Sequence, residues 1–223
     1  MTDPIAKRAL ILDFDGVVVE TEQLHFDCWN AAYEELYGIR VGGSHNQLVG
    51  LSLQQIHELW CSATEELLVL SDDEKDQLLK RKTELFFTLG KTTLTPVSGL
   101  RSLIQCAHDN GWYVTIASRA LRMRLLRTLE MLGIPAIFDL VMGSEDIVDP
   151  NTDRKVHSLA AKPFGITPEN CIVIEDSASG VRSAVDCGIG TVVGLTTSLD
   201  CAALEKAGAH VVVDALVEVE KFL

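Results

Sequence analysis

Two aspartates, Asp13 and Asp15, stand on alternate residues at the end of an apolar run, residues 9–12. Side chains two residues apart on an extended chain point to the same side. Two carboxylates that are brought together repel each other, so a cation or a proton must normally compensate for their charge. Gly16 follows them. Because Asp-Gly is a common turn pair, an ordinary acidic turn is the alternative interpretation of this segment taken alone.

Short apolar strands alternate with amphipathic helices over much of the chain. The strands are predicted at residues 9–14, 113–117, 138–142, 171–174, 191–193 and 211–213, and the helices between them at residues 100–110, 120–132, 154–164 and 178–187. This alternation favours a parallel sheet that is covered by helices on both faces. We therefore predict an α/β fold with a Rossmann-like, doubly wound parallel sheet as its core.

A helical insertion interrupts this pattern after the first strand. Helices are predicted at residues 21–37, 53–59 and 72–89, with no convincing strand pattern between residues 41 and 92. Gly38 is a C-cap signal for the first helix, and Ser71 with Glu74 is a capping-box signal for the last. The predicted organisation is an α/β core of residues 1–17 and 93–223, which carries the candidate site, with an inserted α-helical cap domain of residues 18–92.

Further polar side chains follow two other predicted strands of the core. Ser118 and Arg119 follow the second strand, and Glu175 and Asp176 follow the fourth. Because parallel strands end at one edge of a sheet, these groups are expected to converge with the first two aspartates. Four carboxylates at one edge are hard oxygen ligands that suit Mg²⁺, which commonly also binds a substrate phosphate.

This predicted arrangement is typical of phosphoryl transfer. Asp13 could attack phosphorus as a nucleophile and form an aspartyl-phosphate intermediate. Asp15 is placed to protonate the leaving oxygen and later to deprotonate the hydrolytic water. Gly16 would let the backbone turn beside the phosphate. Ser118 would supply a hydroxyl close to helix amides, although a simple N-cap is the alternative role for this serine.

Together these motifs resemble the haloacid-dehalogenase-like superfamily of phosphohydrolases. The residues that show the resemblance are 13–17, 117–119, and 174–177 with Gly180. Residues 16–29 are similar to the branch that contains beta-phosphoglucomutase and small sugar phosphatases, which have a helical cap after the first strand.

The resemblance implies a role for each of these residues. Asp13 would be the nucleophile and a metal ligand, and Asp15 would be the acid/base group with a backbone contact to the metal. Asp176 would be a metal ligand assisted by Glu175, and Ser118 would bind the phosphate.

Further substrate contacts are expected from Gly16 and Arg119 in the core and from His25 and Gly50 in the cap. An ordinary position on a helix face is an equally good interpretation of His25.

The chain departs from the family pattern at two positions. The family resemblance calls for a lysine that holds the nucleophile and the phosphate together. The position of this lysine falls near Asn151, and we predict that Lys155 takes over its role. A solvated lysine at the start of a surface helix is the alternative for Lys155. Leu53 stands where the mutase resemblance calls for an arginine. Because leucine cannot bind a second phosphate by bidentate hydrogen bonds, hydrolysis is favoured over mutase chemistry.

Composition limits the partners that this protein could have. A formal net charge of −13 argues against nucleic acid or an anionic membrane as partner. The sequence has one basic cluster, whose arginines are at helical spacing and are most simply interpreted as a solvated helix face. These are Arg119, Arg122, Arg124 and Arg127. Six cysteines without a Cys-x-x-Cys pair and no signal peptide predict a reduced, cytoplasmic protein, here expected to be a monomer or weak dimer.

The sequence therefore predicts a Mg²⁺-dependent phosphatase that acts on a small phosphorylated metabolite such as a sugar phosphate. A mutase of the beta-phosphoglucomutase kind is the first alternative. A catalytically weak regulatory or binding protein with the same fold is the second, because the expected lysine is displaced.

Overall fold

The computed structural model describes residues 7–40, 42–47, 55–59, 70–134, 136–147 and 156–223. The chain divides into two compact units. The first, called the core unit, contains Met1–Glu20 and Thr95–Leu223, and the second, called the helical unit, contains Thr21–Leu94.

A sheet of six parallel strands forms the centre of the core unit. The strands are β1 (Arg8–Leu12), β2 (Trp112–Ala117), β3 (Leu140–Met142), β4 (Cys171–Glu175), β5 (Thr191–Leu195) and β6 (Val211–Val213). Their order across the sheet is β3-β2-β1-β4-β5-β6, and every neighbouring pair is parallel. The chain winds from β1 to one edge, returns to the centre at β4 and winds to the other edge. This doubly wound topology confirms the predicted fold class.

Helices account for most of the remaining regular structure of the described residues. They are α1 (Glu22–Tyr37) and α2 (Asp72–Thr93) in the helical unit, and α3 (Leu100–Asp109), α4 (Arg122–Met131), α5 (Val156–Ala161), α6 (Ala178–Asp186) and α7 (Cys201–Ala207) in the core unit. A 3₁₀ segment, Leu216–Phe222, ends the chain.

Both faces of the central strands are buried, which explains their uninterrupted apolar sequences. Ala9 and Ile11 of β1 are fully buried in a cluster to which α5, α6 and α7 contribute apolar side chains. Side chains alternate between the two faces of a strand, so Leu10 and Leu12 point to the opposite face, and they are also fully buried. The central strands are thereby fixed in position, together with the residues that follow them.

The helical unit contains helices but no strand among its described residues. Helices α1 and α2 pack against each other. Buried Tyr33 of α1 forms a hydrogen bond of 2.7 Å between its hydroxyl and Nδ1 of His57, within the helical residues 55–59. Gly38 ends α1 with a φ of 70°, as its C-cap signal predicts.

Most predicted elements are present, with boundaries that differ by a few residues. Helix α2 continues past the predicted end at Leu89 to Thr93. Helix α7 and the final 3₁₀ segment were not predicted, because seven residues each are too few to show a clear helical period. Within the described residues, no helix combines the length and the apolar character that a membrane span requires.

The capping box at the start of α2 provides a test of local stability in the helical unit. The Ser71 hydroxyl accepts a hydrogen bond from the Glu74 amide, and the Glu74 carboxylate accepts one from the Ser71 amide at 2.8 Å. Replacing Ser71 by alanine is expected to lower the free energy of unfolding by about 1 kcal/mol. Urea unfolding followed by circular dichroism measures the change. Ser71→Asp, which keeps a capping oxygen, should stay close to the wild type, and equal stability of all three proteins would contradict the assignment.

Candidate active site

Strands β1 and β4 are neighbours at the centre of the sheet, where the direction of winding reverses. Leu12 pairs with Ile174, and the Asp13 amide donates a hydrogen bond of 3.1 Å to the Ile174 carbonyl oxygen. This register holds the first residue beyond β1 level with the end of β4. An open α/β sheet binds its ligands at this position, in the crevice beyond the carboxyl ends of the strands.

Three carboxylates meet at this crevice. Asp13, Glu175 and Asp176 each offer an oxygen atom, and these three atoms lie within 4.8 Å of one another. Glu175 and Asp176 are only 4% and 3% exposed, whereas Asp13 is partly open to solvent. Carboxylate oxygens are the ligands that hard divalent cations such as Mg²⁺ prefer. The donor set and its spacing therefore fit a hard divalent cation.

The electrostatics of Asp13 show the cost of this arrangement. The pKa of Asp13 lies well above its ordinary value of 3.8. The largest cause is the burial of its carboxyl group, and the negative charges of three neighbouring acids add to this effect. A group of this kind is stable only when a proton or a cation compensates for the charge.

Glu175 is held by two side chains from other positions. The Ser177 hydroxyl donates to Oε2 of Glu175 at 3.1 Å, and Nε2 of the buried His157 lies 3.1 Å from Oε1. Burial by itself lowers the pKa of His157, but its interactions with Cys187 and Glu175 outweigh this effect and raise the pKa to about 9. A protonated His157 would offset part of the negative charge of the cluster.

Asp176 is held by hydroxyl groups that the sequence interpretation did not identify. The Ser198 hydroxyl donates to Oδ2 of Asp176, and the Thr197 hydroxyl lies 3.4 Å from the same oxygen and 2.7 Å from the Gly16 carbonyl oxygen. Both residues follow β5, which lies beside β4 in the sheet. The signal that could have identified these two residues is the run of polar residues after the fifth strand, because that strand ends at the same edge of the sheet as β1 and β4.

Two glycines make room for the carboxylates. A Cβ atom at Gly16, which has a φ of 75°, would lie 1.7 Å from Oδ2 of Asp176. A Cβ atom at Gly180 would lie 2.0 Å from Oε2 of Glu175. Only glycine fits at these two positions without a movement of the acids.

Asp15 faces a different partner from the other acids. Its two oxygens are bound by the guanidinium of Arg124, with Nη1 3.0 Å from Oδ1 and Nη2 in contact with Oδ2. Its carboxylate is not part of the group of three. The prediction that the arginine run forms a solvated helix face was wrong for Arg124, whose side chain is 16% exposed. Arg124 precedes the buried Leu125 on α4 and lies on the flank of the helix nearest to Asp15.

Ser118 and Arg119 lie at the carboxyl end of β2. Ser118 is buried, and its hydroxyl accepts a hydrogen bond of 3.3 Å from the Ala120 amide. The N-cap interpretation of Ser118 was wrong, because α4 begins later and Leu121 occupies its N-cap position. Arg119 is exposed and donates to the Ser179 hydroxyl at 3.2 Å.

A cavity of about 440 Å³ adjoins these groups within the core unit. Asp13 and Glu175 line it together with Arg119, His157 and Arg182. Positively charged groups therefore lie on the same cavity as two of the three clustered acids.

The remaining candidate residues lie elsewhere. His25 belongs to α1 of the helical unit, where it stacks on Phe86 at 4.9 Å and its Nδ1 accepts a hydrogen bond of 2.7 Å from Nζ of Lys82. Gly50 and Lys155 lie outside the described residues.

The raised pKa of Asp13 predicts a specific pH dependence of stability. The folded state retains the Asp13 proton to higher pH than the unfolded state, so the resulting stabilisation is lost as the pH rises above 3.8 towards the folded pKa. In the presence of a chelator, Asp13→Asn should therefore raise Tm at pH 8, by roughly 2–4 °C for each 1 kcal/mol of repulsion removed, and by less at pH 5.

Thermal unfolding at both pH values measures this difference. Asp109→Asn, an isosteric change of an exposed carboxylate on α3, serves as the matched control. A Tm for Asp13→Asn at or below that of the wild type at pH 8 would show that the cluster does not destabilise the metal-free protein.

Comparison with known proteins agrees with this geometry. Residues 10–193 match the family model described as haloacid dehalogenase-like hydrolase. The chain is 26% identical over 217 residues to the phosphorylated carbohydrates phosphatase of Thermotoga maritima, and the alignment covers 97% of this chain and 96% of that protein. It is also 24% identical to the beta-phosphoglucomutase of Bacillus subtilis, with 82% and 80% of the two chains covered.

A solved structure shows that the fold is shared. The beta-phosphoglucomutase of Clostridium difficile has a TM-score of 0.77 at 22% identity, with 96% of this chain and 93% of that chain covered. Since the family model spans most of the chain, and the acids at residues 13, 175 and 176 lie within the matched range, this chain belongs to the haloacid dehalogenase-like hydrolases.

Proposed function

We propose that this protein is a Mg²⁺-dependent phosphatase that hydrolyses small phosphorylated metabolites, such as sugar phosphates, through an aspartyl-phosphate intermediate. The observation that supports this most strongly is the group of three carboxylates, Asp13, Glu175 and Asp176, at the crevice between β1 and β4. These three carboxylates repel one another and suit a hard cation. Asp13 directly follows the central strand β1, where the family resemblance expects the nucleophile.

Asp13 and Asp176 would hold the metal ion directly, and Glu175 would assist them. When bound, Mg²⁺ supplies positive charge that compensates for the carboxylates and for the phosphoryl group. The family resemblance implies the backbone of Asp15 as a further ligand, and its side chain contacts Arg124.

In the first step, a carboxylate oxygen of Asp13 attacks phosphorus and forms a new P–O bond. The bond between phosphorus and the alcohol oxygen breaks, and Asp15 gives its proton to that oxygen, so that the alcohol leaves neutral. Ser118 and the amides of the turn at Gly16 bind the phosphate oxygens during this step.

In the second step, water attacks the phosphorus of the aspartyl phosphate. Asp15 takes the proton of the water, the bond between phosphorus and Asp13 breaks, and inorganic phosphate is released with Asp13 restored. The overall reaction consumes one water and one phosphate ester and yields one alcohol and one phosphate.

The relatives support the proposed substrate class. The phosphorylated carbohydrates phosphatase aligns with nearly the whole chain, which favours hydrolysis of sugar phosphates. The relationship to a beta-phosphoglucomutase keeps the mutase as the second candidate.

The other predicted contacts complete the proposal. Arg119, His25 and Gly50 are proposed substrate contacts, and Lys155 is proposed to hold the phosphate beside Asp13. The helical unit is proposed to act as a cap that closes over the bound substrate. A cytoplasmic location and a monomeric or weakly dimeric state stay predictions.

Turnover of a hexose 1-phosphate with Mg²⁺ separates the candidate functions. We expect release of inorganic phosphate, and we expect Asp13→Asn to lower kcat by at least about a thousandfold because the nucleophile is lost. Asp109→Asn should keep the wild-type rate. Accumulation of the isomeric 6-phosphate would instead identify a mutase, and equal rates for the wild type and Asp13→Asn would favour a protein without catalytic activity.

Gly180 allows a test of Glu175 without a change to any acid. In Gly180→Ala, the added methyl group displaces the Glu175 carboxylate, so the affinity for Mg²⁺ should fall by about tenfold to a hundredfold. Calorimetric titration with Mg²⁺ measures this affinity directly. Val185→Ala, an exposed change on the same helix, is the control. An unchanged affinity in Gly180→Ala would remove Glu175 from the metal site.

A further inference from the structure

The segment between β5 and α7, residues 196–200, brings two hydroxyl groups to the edge of the sheet at which the three carboxylates meet. The Ser198 hydroxyl donates a hydrogen bond to Oδ2 of Asp176. The Thr197 hydroxyl lies 2.7 Å from the Gly16 carbonyl oxygen and 3.4 Å from Oδ2 of Asp176. A hydroxyl has a single proton, and Thr197 donates it to the nearer oxygen. Ser198 is therefore the hydroxyl that holds the carboxylate of Asp176.

This segment is fixed at both of its ends. The Thr196 amide donates a hydrogen bond of 3.1 Å to the Val213 carbonyl oxygen at the end of β6. At the other end, Asp200 is the N-cap of α7, and Leu199 packs against the apolar cluster of the core unit. The backbone that carries Ser198 thus has an anchor on either side, so its hydroxyl is already ordered before any ion binds.

Gly16 packs against the same carboxylate oxygen. A Cβ atom at Gly16 would lie 1.7 Å from Oδ2 of Asp176 and 3.1 Å from the Ser198 hydroxyl oxygen. The turn after β1, the carboxylate after β4 and the hydroxyl after β5 therefore lie against one another, and Ser198 gives this arrangement a directional hydrogen bond. Asp176 has further contacts that remain when the Ser198 hydroxyl is removed. The carboxylate would then stay at the crevice but would be held less firmly.

Mg²⁺ and Ca²⁺ make different demands on the ligands that hold them. Mg²⁺ needs a nearly ideal octahedron with distances of about 2.0–2.1 Å, whereas Ca²⁺ accepts about six to eight oxygens at about 2.3–2.6 Å in flexible arrangements. A carboxylate in a fixed orientation suits the stricter ion, and a carboxylate that moves weakens the binding of Mg²⁺ more than that of Ca²⁺. The firm hold on Asp176 therefore favours Mg²⁺.

We propose that Ser198 is a positioning residue whose hydroxyl, through Asp176, gives the crevice a preference for Mg²⁺ over Ca²⁺. Ser198 acts on the ion through the carboxylate and takes no part in the transfer of the phosphoryl group. This inference rests on the divalent-cation site of the proposed function and adds to it the basis of ion selectivity.

Calorimetric titration of the metal-free protein with Mg²⁺ and, separately, with Ca²⁺ tests the proposal. The wild type should bind Mg²⁺ more tightly than Ca²⁺. In Ser198→Ala, the affinity for Mg²⁺ should fall by about tenfold to a hundredfold, because an outer hydrogen bond that orients a ligand is lost. The affinity for Ca²⁺ should fall only a few-fold, because this ion tolerates a movable ligand. Ser198→Thr, which keeps a hydroxyl on the same carbon, should restore most of the preference.

Ser102→Ala is the matched control. The Ser102 hydroxyl also donates to a carboxylate, at 2.5 Å to Oε1 of Glu220, but this pair joins α3 to the final 3₁₀ segment. The substitution should leave both affinities at their wild-type values. Thermal unfolding of the metal-free proteins confirms that each variant is folded.

Three results would overturn the proposal. A fall of the two affinities by the same factor in Ser198→Ala would assign to Ser198 a general support of the crevice without a role in ion selectivity. Unchanged affinities in Ser198→Ala would remove Ser198 from the metal site. A wild type that binds Ca²⁺ as tightly as Mg²⁺ would show that there is no preference to explain.

Release of inorganic phosphate from a hexose 1-phosphate keeps this inference separate from the proposed function. If the wild type releases none with Mg²⁺ while Ser198→Ala loses the ion preference, the phosphatase function fails and the role of Ser198 stands. If the wild type releases phosphate while Ser198→Ala retains the ion preference, the function stands and the role of Ser198 is excluded.

Discussion

The carboxylates of Asp13, Glu175 and Asp176 are held together against their mutual repulsion, and the geometry of the sheet is what holds them. Asp13 is bound to the end of β4 through its own amide, and Asp176 follows directly after that strand. Residues 9–12 of β1 and all of β4 are buried, so neither strand can shift to separate the charges. The packing of the core thus offsets an electrostatic cost at one edge of the sheet. The same cost gives the crevice its attraction for a cation.

Each carboxylate of this group is supported in a different way. Glu175 is bound by the imidazole of His157 and by the hydroxyl of Ser177, which together fix its position. Asp176 is held by the hydroxyls after β5, which orient it without neutralising it. Asp13 has the raised pKa and is partly exposed to solvent, which suits the residue that is proposed to react with substrate. Asp15, two residues away, is paired with Arg124 and is thereby kept apart from the cluster.

The sequence predicts the fold and the centre of the site because both depend on local patterns. Buried parallel strands have continuous apolar sequences, and the acids directly follow them, so β1 and β4 with Asp13 and Asp176 can be identified in advance. Interactions between distant segments leave no such pattern. The pairing of Arg124 with Asp15 depends on which flank of α4 faces the crevice, and helical spacing alone suggested a solvated face. His157 is a single residue on a short helix, and the role of Ser198 depends on β5 lying next to β4.

The most direct test of the central claim is a crystal structure of the protein with Mn²⁺ as a substitute for Mg²⁺, in which anomalous scattering locates the ion. The account predicts one ion at the crevice, with a carboxylate oxygen of Asp13 and one of Asp176 at direct coordination distances of about 2.0–2.2 Å. An ion bound elsewhere, or a crevice that stays empty at saturating Mn²⁺, would contradict the claim that these acids are brought together to hold a divalent cation.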